Sequence, residues 1–205
     1  SPGQYFYTNE RRNHVAWDSL CFDYGKDKVI HFLLSNCRYW LEEYKFDGFR
    51  FDGITSMIYY NHGLEKSFTS YDDYFDGGQD EDALVYLYLA NKMIHDFKPG
   101  ALTIAEEMSG MPGMACETAK SGYGFDYRLS MGVPDFWIKL VKDTPDENWD
   151  MGHLIHELTQ HRPEEKIISY CESHDQALVG DKTLIFRMID AEMYTGMTKS
   201  YHSFT

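Results

Sequence analysis

The sequence is 205 residues long, with 43% hydrophobic and 25% charged residues, the make-up of an ordinary globular chain; one compact unit over residues 1–205 is expected. A formal net charge of −14 argues against nucleic acid and anionic membranes as partners, since both are polyanions that need a basic footprint, and favours a neutral or cationic substrate. Four cysteines without a CxxC pair, no run of ~20 apolar residues and no apolar stretch near the N-terminus give no disulfide framework, membrane span or secretion signal, so a cytoplasmic setting is expected.

From Asp27 to Tyr44, Val29, Ile30, Leu33, Leu34, Cys37, Trp40 and Leu41 recur at three- and four-residue steps, which predicts an amphipathic helix. A short apolar run, Phe46 to Phe51, follows and reads as a strand. Residues 61–82, polar and acidic with glycines, predict a long loop, a kind often functional inside a domain. A helix is expected from Asp82 to Phe97, stopped by Lys98-Pro99-Gly100, then a strand in ALTIAEE. SGYGFDYRLS supplies another strand; helices near Pro134–Val141 and Asp150–His161 follow, then the apolar run in EKIISYCESHD, and a last helix over Thr183–Tyr194. Alternating strands and helices predict a parallel sheet, open or closed into an eight-stranded barrel.

Charge gathers where these strands end. GFRFDG places Arg50 and Asp52 two apart, hence on one face of a strand. TIAEE ends in Glu106 and Glu107, and ESHDQ carries His174 and Asp175. Any one of these can be an ion pair or a helix cap, and Asp175 beside a turn fits a cap. Together, at strand ends spaced by whole β–α units, they predict a convergent acidic site on the face where barrel enzymes assemble their active sites. Retaining glycoside chemistry needs such carboxyls, one as nucleophile and one as proton donor. Glu107, on the opposite side of its strand, reads as a solvent-facing or supporting carboxylate.

Other patterns fail on spacing. In HLIHELTQH, His156 and His161 are five apart, which does not stack two zinc ligands on one helix face. VGDKT lacks the first glycine of a phosphate-binding loop, and DDYFDGGQDED lacks the alternating ligands and closing glutamate of a calcium loop, so a solvated loop is expected there.

GFRFDG, TIAEE and ESHDQ, in that order, resemble three of the four signature segments of the α-amylase superfamily. The longer stretches WLEEYKFDGFRFDGITSM, TIAEEMSGMP, GFDYRLSMGVPD and ESHDQALVGDKT resemble the α-1,4-glucan branching enzymes over most of the chain, from about Trp17 to about Met197. The resemblance implies an α/β fold, a partial (β/α)8 TIM barrel with about strands 4 to 7 and their helices. It implies Asp52 as nucleophile, Glu106 as general acid/base, Asp175 as the carboxylate that holds the strained sugar, Arg50 as hydrogen-bond partner of Asp52, and His174 as donor to sugar hydroxyls. It implies an α-1,4-glucan substrate such as glycogen, amylose or amylopectin, no metal or organic cofactor, and transfer to α-1,6 branches; it leaves oligomeric state open. The first signature segment has no counterpart before Gly48, and the tail TKSYHSFT is not expected to supply an eighth strand. Two alternatives therefore stand: a non-catalytic part of a barrel with two unpaired sheet edges, and an amylase-like hydrolase.

Overall fold

A computed structural model describes residues 2–180 and 182–197; the tail TKSYHSFT lies outside them. The chain divides into two compact units, one formed by the chain up to Leu129 together with His161–Ile167, the other by Ser130–Gln160 and the chain from Ile168 onward.

In the first unit a short antiparallel pair, β1 (Asn13–His14) and β2 (Ser19–Leu20), precedes helix α1 (Asp27–Glu42). The expected apolar stripe is the buried one: Val29, Cys37 and Leu41 are inside. Strand β3 (Gly48–Phe51) leads into a one-turn helix α2 (Ile54–Ile58), and α3 (Glu81–Phe97) returns the chain to β4 (Leu102–Ala105). Helices α1 and α3 pack together, with Cys37, Leu41, Ile94 and Ala101 in one cluster. Ile54, Ile58, Leu87, Met111 and Met114 are fully buried in a second, each aliphatic contributing about 1.5–3 kcal/mol.

Strands β3, β4, β5 (Tyr127–Leu129) and β6 (Ile167–Ile168) form one parallel sheet in that order, the expected α/β arrangement. Phe51 lies opposite Ala105, and Ala105 opposite Arg128. At its start β3 approaches β4 closely: a Cβ on Gly48, whose φ is +155°, would fall 1.9 Å from the Leu102 carbonyl oxygen. Gly48→Ala is therefore expected to cost about 2–3 kcal/mol, read as a fall in the chemical-denaturation midpoint.

Two expectations need correction here. The rhythm of strand, loop and helix breaks between β4 and β5, where the connection holds a single 3-10 turn at Thr118–Lys120 and no α-helix. Gly110, Gly113 and Gly124 in that connection all have positive φ, which helical backbone does not allow. The acidic loop is not simply solvated either. Asp80 is 1% exposed, accepts from the Ala83 N–H to cap α3 at 3.1 Å, and receives Arg11 at 2.8 Å and the Tyr7 hydroxyl at 2.7 Å. Arg11 also lies over the Tyr7 and Tyr60 rings, so residues before β1 hold this loop down.

The second unit is helical: α4 (Gly132–Asp143), α5 (Met151–Thr159), α6 (His174–Gly180), α7 (Leu184–Ile189) and α8 (Glu192–Thr195). Helix α4 packs on α5 and α7. The single last helix expected over Thr183–Tyr194 is split, because Asp190 takes φ +37° and ψ −115°, outside the helical region, while its carboxylate pairs with Lys182 at 2.8 Å. Among the described residues no helix is long and apolar enough to cross a membrane.

Candidate active site

Parallel register decides which charged residues meet. Because Arg50 lies opposite Ile104, the next residues of the same parity, Asp52 and Glu106, project to the same face one step beyond the ends of β3 and β4. Backbone bonds continue past the strands: the Glu106 N–H donates to Phe51 O and the Ile54 N–H to Glu106 O, each at 3.0 Å. Adjacent parallel strands are ~4.8 Å apart, so two carboxyls at neighbouring strand ends are forced into contact.

They are in contact. The Asp52 and Glu106 side chains share a hydrogen bond, which requires a proton on one of them. Glu106 Oε1 also meets Arg50 Nη2 at 2.9 Å, and its Oε2 accepts from the Gly53 N–H at 3.2 Å. Glu106 is 9% exposed, whereas Asp52 is exposed. Burial, first, and the Asp52 hydrogen bond, second, push the Glu106 carboxyl above the usual carboxylate range; Arg50 and the Gly53 N–H pull the other way without winning. The result is a buried carboxyl biased to the protonated form beside an exposed one, the division of labour between a proton donor and a nucleophile.

Linkage gives a checkable consequence. A carboxyl whose folded pKa is raised contributes stability while protonated and loses it as pH rises past its unfolded value. Glu106→Gln mimics the protonated form, so its melting temperature should exceed that of the parent at neutral pH and converge with it at acid pH.

A cavity of about 200 Å³ opens beside Asp52, walled by Gly53, Ser56 and Met57 and by His14, Cys21 and Phe22 from the N-terminal segment. The His14 ring, held at Ser56 Oγ at 3.0 Å, has its pKa lowered by burial and then by the neighbouring His62 ring. Neither histidine was singled out from the sequence.

Arg50, Asp52 and Glu106 thus come together in the first unit. Arg50, read from the sequence as the partner of Asp52, reaches Glu106. His174 and Asp175 lie in the second unit, at the start of α6, with His174 Nε2 3.3 Å from Asp175 Oδ1. The cap expected of Asp175 is made by its neighbours: Gln176 Oε1 accepts from the Ser173 N–H at 2.6 Å and Ser173 Oγ from the Asp175 N–H at 3.2 Å.

Of the two readings of Glu107, solvent-facing or supporting, burial leaves the second: it is 2% exposed and pairs with Arg128 at 2.5 Å on the opposite face of the sheet. Arg128 also holds the buried Glu165 at 2.7 Å. An arginine in the short β5 run was the available signal, of the same kind that marks Arg50 in β3.

No protein-family model matches the chain. A 1,4-alpha-glucan-branching enzyme of Felis catus is 55% identical over 195 residues, 95% of this chain. The homologues of this chain are 1,4-alpha-glucan-branching enzymes. Another, from Solanum tuberosum, is 53% identical over 199 residues, 97% of this chain. The chain spans about 28% of the length of the Felis catus branching enzyme and 23% of that from Solanum tuberosum. In fold, it resembles a noncanonic maltogenic alpha-amylase from Thermotoga neapolitana, with a TM-score of 0.53 at 17% identity over 85% of this chain and 34% of that one. The sheet therefore matches part of an α-amylase barrel domain.

Proposed function

We propose that this chain forms the central part of the catalytic (β/α)8 domain of a branching enzyme, with β3 to β6 as barrel strands 4 to 7 and both units belonging to that one domain. The hydrogen-bonded Asp52–Glu106 pair at adjacent strand ends is the observation that carries the reading. Asp52 attacks the anomeric carbon of an α-1,4 bond while Glu106 protonates the departing oxygen, leaving a covalent glucosyl–Asp52 ester. Glu106, now ionised, takes the proton of an acceptor 6-hydroxyl; that oxygen displaces Asp52, forms the α-1,6 bond and restores both carboxyls. Two inversions at one carbon retain the anomeric configuration.

Arg50, on the Glu106 carboxyl, stabilises its ionised form between the two steps, when it must serve as base. Asp175 and His174 are assigned to the strained sugar and its hydroxyls, in keeping with the homology of the ESHDQ segment. The substrate is an α-1,4-glucan, a neutral polymer that suits a chain of net charge −14, and the setting is the cytoplasm. Acid, base and nucleophile all come from carboxyls, so the chemistry calls for no metal or organic cofactor.

Amylose tests the proposal in the intact protein. Iodine colour should fall with no new reducing ends, and the product should acquire α-1,6 linkages. Reducing ends that rise in step with the loss of colour would make the protein a hydrolase, and an unchanged amylose would leave it without glucan activity.

A further inference from the structure

We infer that Glu107 and Thr55 are positioning residues: a buried hydrogen-bond bridge between them sets how the Asp52 and Glu106 carboxyls face each other. The inference rests on the transfer reading of that pair. The starting point is the cost of burying Glu107. Its side chain is 0% exposed, and a buried carboxylate must be fully supplied with donors.

It is supplied with six. Oε1 accepts from the Thr55 hydroxyl at 3.0 Å, from the Ser109 N–H at 2.7 Å and from the Ser109 hydroxyl. Oε2 accepts from the Gly110 and Met111 N–H groups, each at 2.9 Å, and from Arg128 Nη2 at 2.5 Å. A carboxylate offers about four lone-pair sites, so this group is saturated and its place is fixed from several directions at once.

Thr55 carries that fixity to the other strand end. Its hydroxyl donates to Glu107 and accepts from the Met108 N–H at 2.7 Å, so it is held on both sides. Thr55 stands in the first turn of α2, three residues after Asp52, and Glu107 directly follows Glu106. Packing holds only the far side of the turn between them, through the fully buried Ile54; Asp52 itself is exposed, and a Cβ on Gly53 would meet nothing within 4 Å. The strand ends are tied by the backbone bonds from Ile54 to Glu106 and from Glu106 to Phe51 and by Arg50 and the Gly53 N–H on the Glu106 carboxyl, and the Thr55–Glu107 bridge adds the side-chain tie from the first turn of α2 to the residue after Glu106. Releasing one lets Asp52 shift, and a displacement of about 1 Å at reacting groups costs roughly 100-fold in rate.

The test uses Thr55→Val, which keeps shape and charge but removes both bonds of the hydroxyl, and Thr55→Ser, which keeps the hydroxyl. In the intact protein, Thr55→Val is expected to lower kcat roughly 10- to 100-fold with KM unchanged. The alkaline limb of its pH–kcat profile should move to lower pH, because Glu106 loses the contact with Asp52 that helps keep it protonated. Thr55→Ser should restore both. An unmoved limb, or a loss that Thr55→Ser fails to restore, would overturn the inference, since a merely structural role lowers stability without retuning Glu106. Should the parent protein not act on amylose, the transfer reading falls by itself. The Glu106 carboxyl band, followed by infrared difference titration against Glu106→Gln, then decides the bridge without substrate: a downward shift in Thr55→Val supports it and no shift overturns it.

Discussion

Asp52→Asn is expected to lower glucan transfer by about 10⁴-fold or more, with the protein still folded. The amide has nearly the size of the carboxylate, and Asp52 is exposed, so no core packing is lost. In the proposed double displacement, what disappears is the charge that attacks the anomeric carbon and the leaving group that the acceptor displaces, so both steps should fail together. The substitution reaches Glu106 as well. Of the influences that raise its pKa, burial survives, but the Asp52 charge is gone. Any residual activity should therefore lose its alkaline limb at lower pH than the parent. Single-turnover measurement on amylose across pH, with circular dichroism to confirm the fold, reads both effects. Activity within about tenfold of the parent would remove Asp52 from the nucleophile's role.

Much of this site was legible in the sequence because register and charge are local signals. Arg50 and Asp52 share a face by spacing alone, and a carboxylate after each of two apolar runs marks strand ends. The long helices α1 and α3 were legible from periodicity, to within two residues at each end, since each spans several turns of a clear stripe. What escaped depends on contacts between distant parts of the chain. Nothing near Glu107 announces that Arg128, 21 residues later, will draw it inside. Asp80 looks like its acidic neighbours until Arg11 and Tyr7, 69 and 73 positions earlier, are seen to meet it. The one-turn α2 begins after Gly53 at φ +60°, and the last helix breaks at Asp190, where no proline or glycine warns of it. Glu106 shows the same division: its position was readable, but its raised pKa comes from burial that only the folded chain supplies.

The largest stability loss is expected at Arg128. Its side chain is 8% exposed and serves two carboxylates, Glu107 at 0% and Glu165 at 2% exposed, while also donating to Met111 O at 3.0 Å. Arg128→Met fills similar volume with an apolar chain and leaves both carboxylates without their cation. Breaking a buried ion pair from one side costs about 3–5 kcal/mol, a large share of the roughly 5–15 kcal/mol that holds a domain together. The two carboxylates are not equal losers. Glu107 keeps five donors of its own, whereas Glu165 Oε1 already lacks a hydrogen-bond partner and its Oε2 would lose Arg128. Glu165 should therefore account for most of the penalty. Adding Glu165→Met to Arg128→Met removes the stranded charge and should recover at least half of the loss, whereas adding Glu107→Gln should recover little, because the amide turns an N–H₂ toward backbone donors. Chemical denaturation of the single and double variants measures the difference. Equal recovery from the two additions, or none from Glu165→Met, would show that Arg128 acts by packing and not by charge.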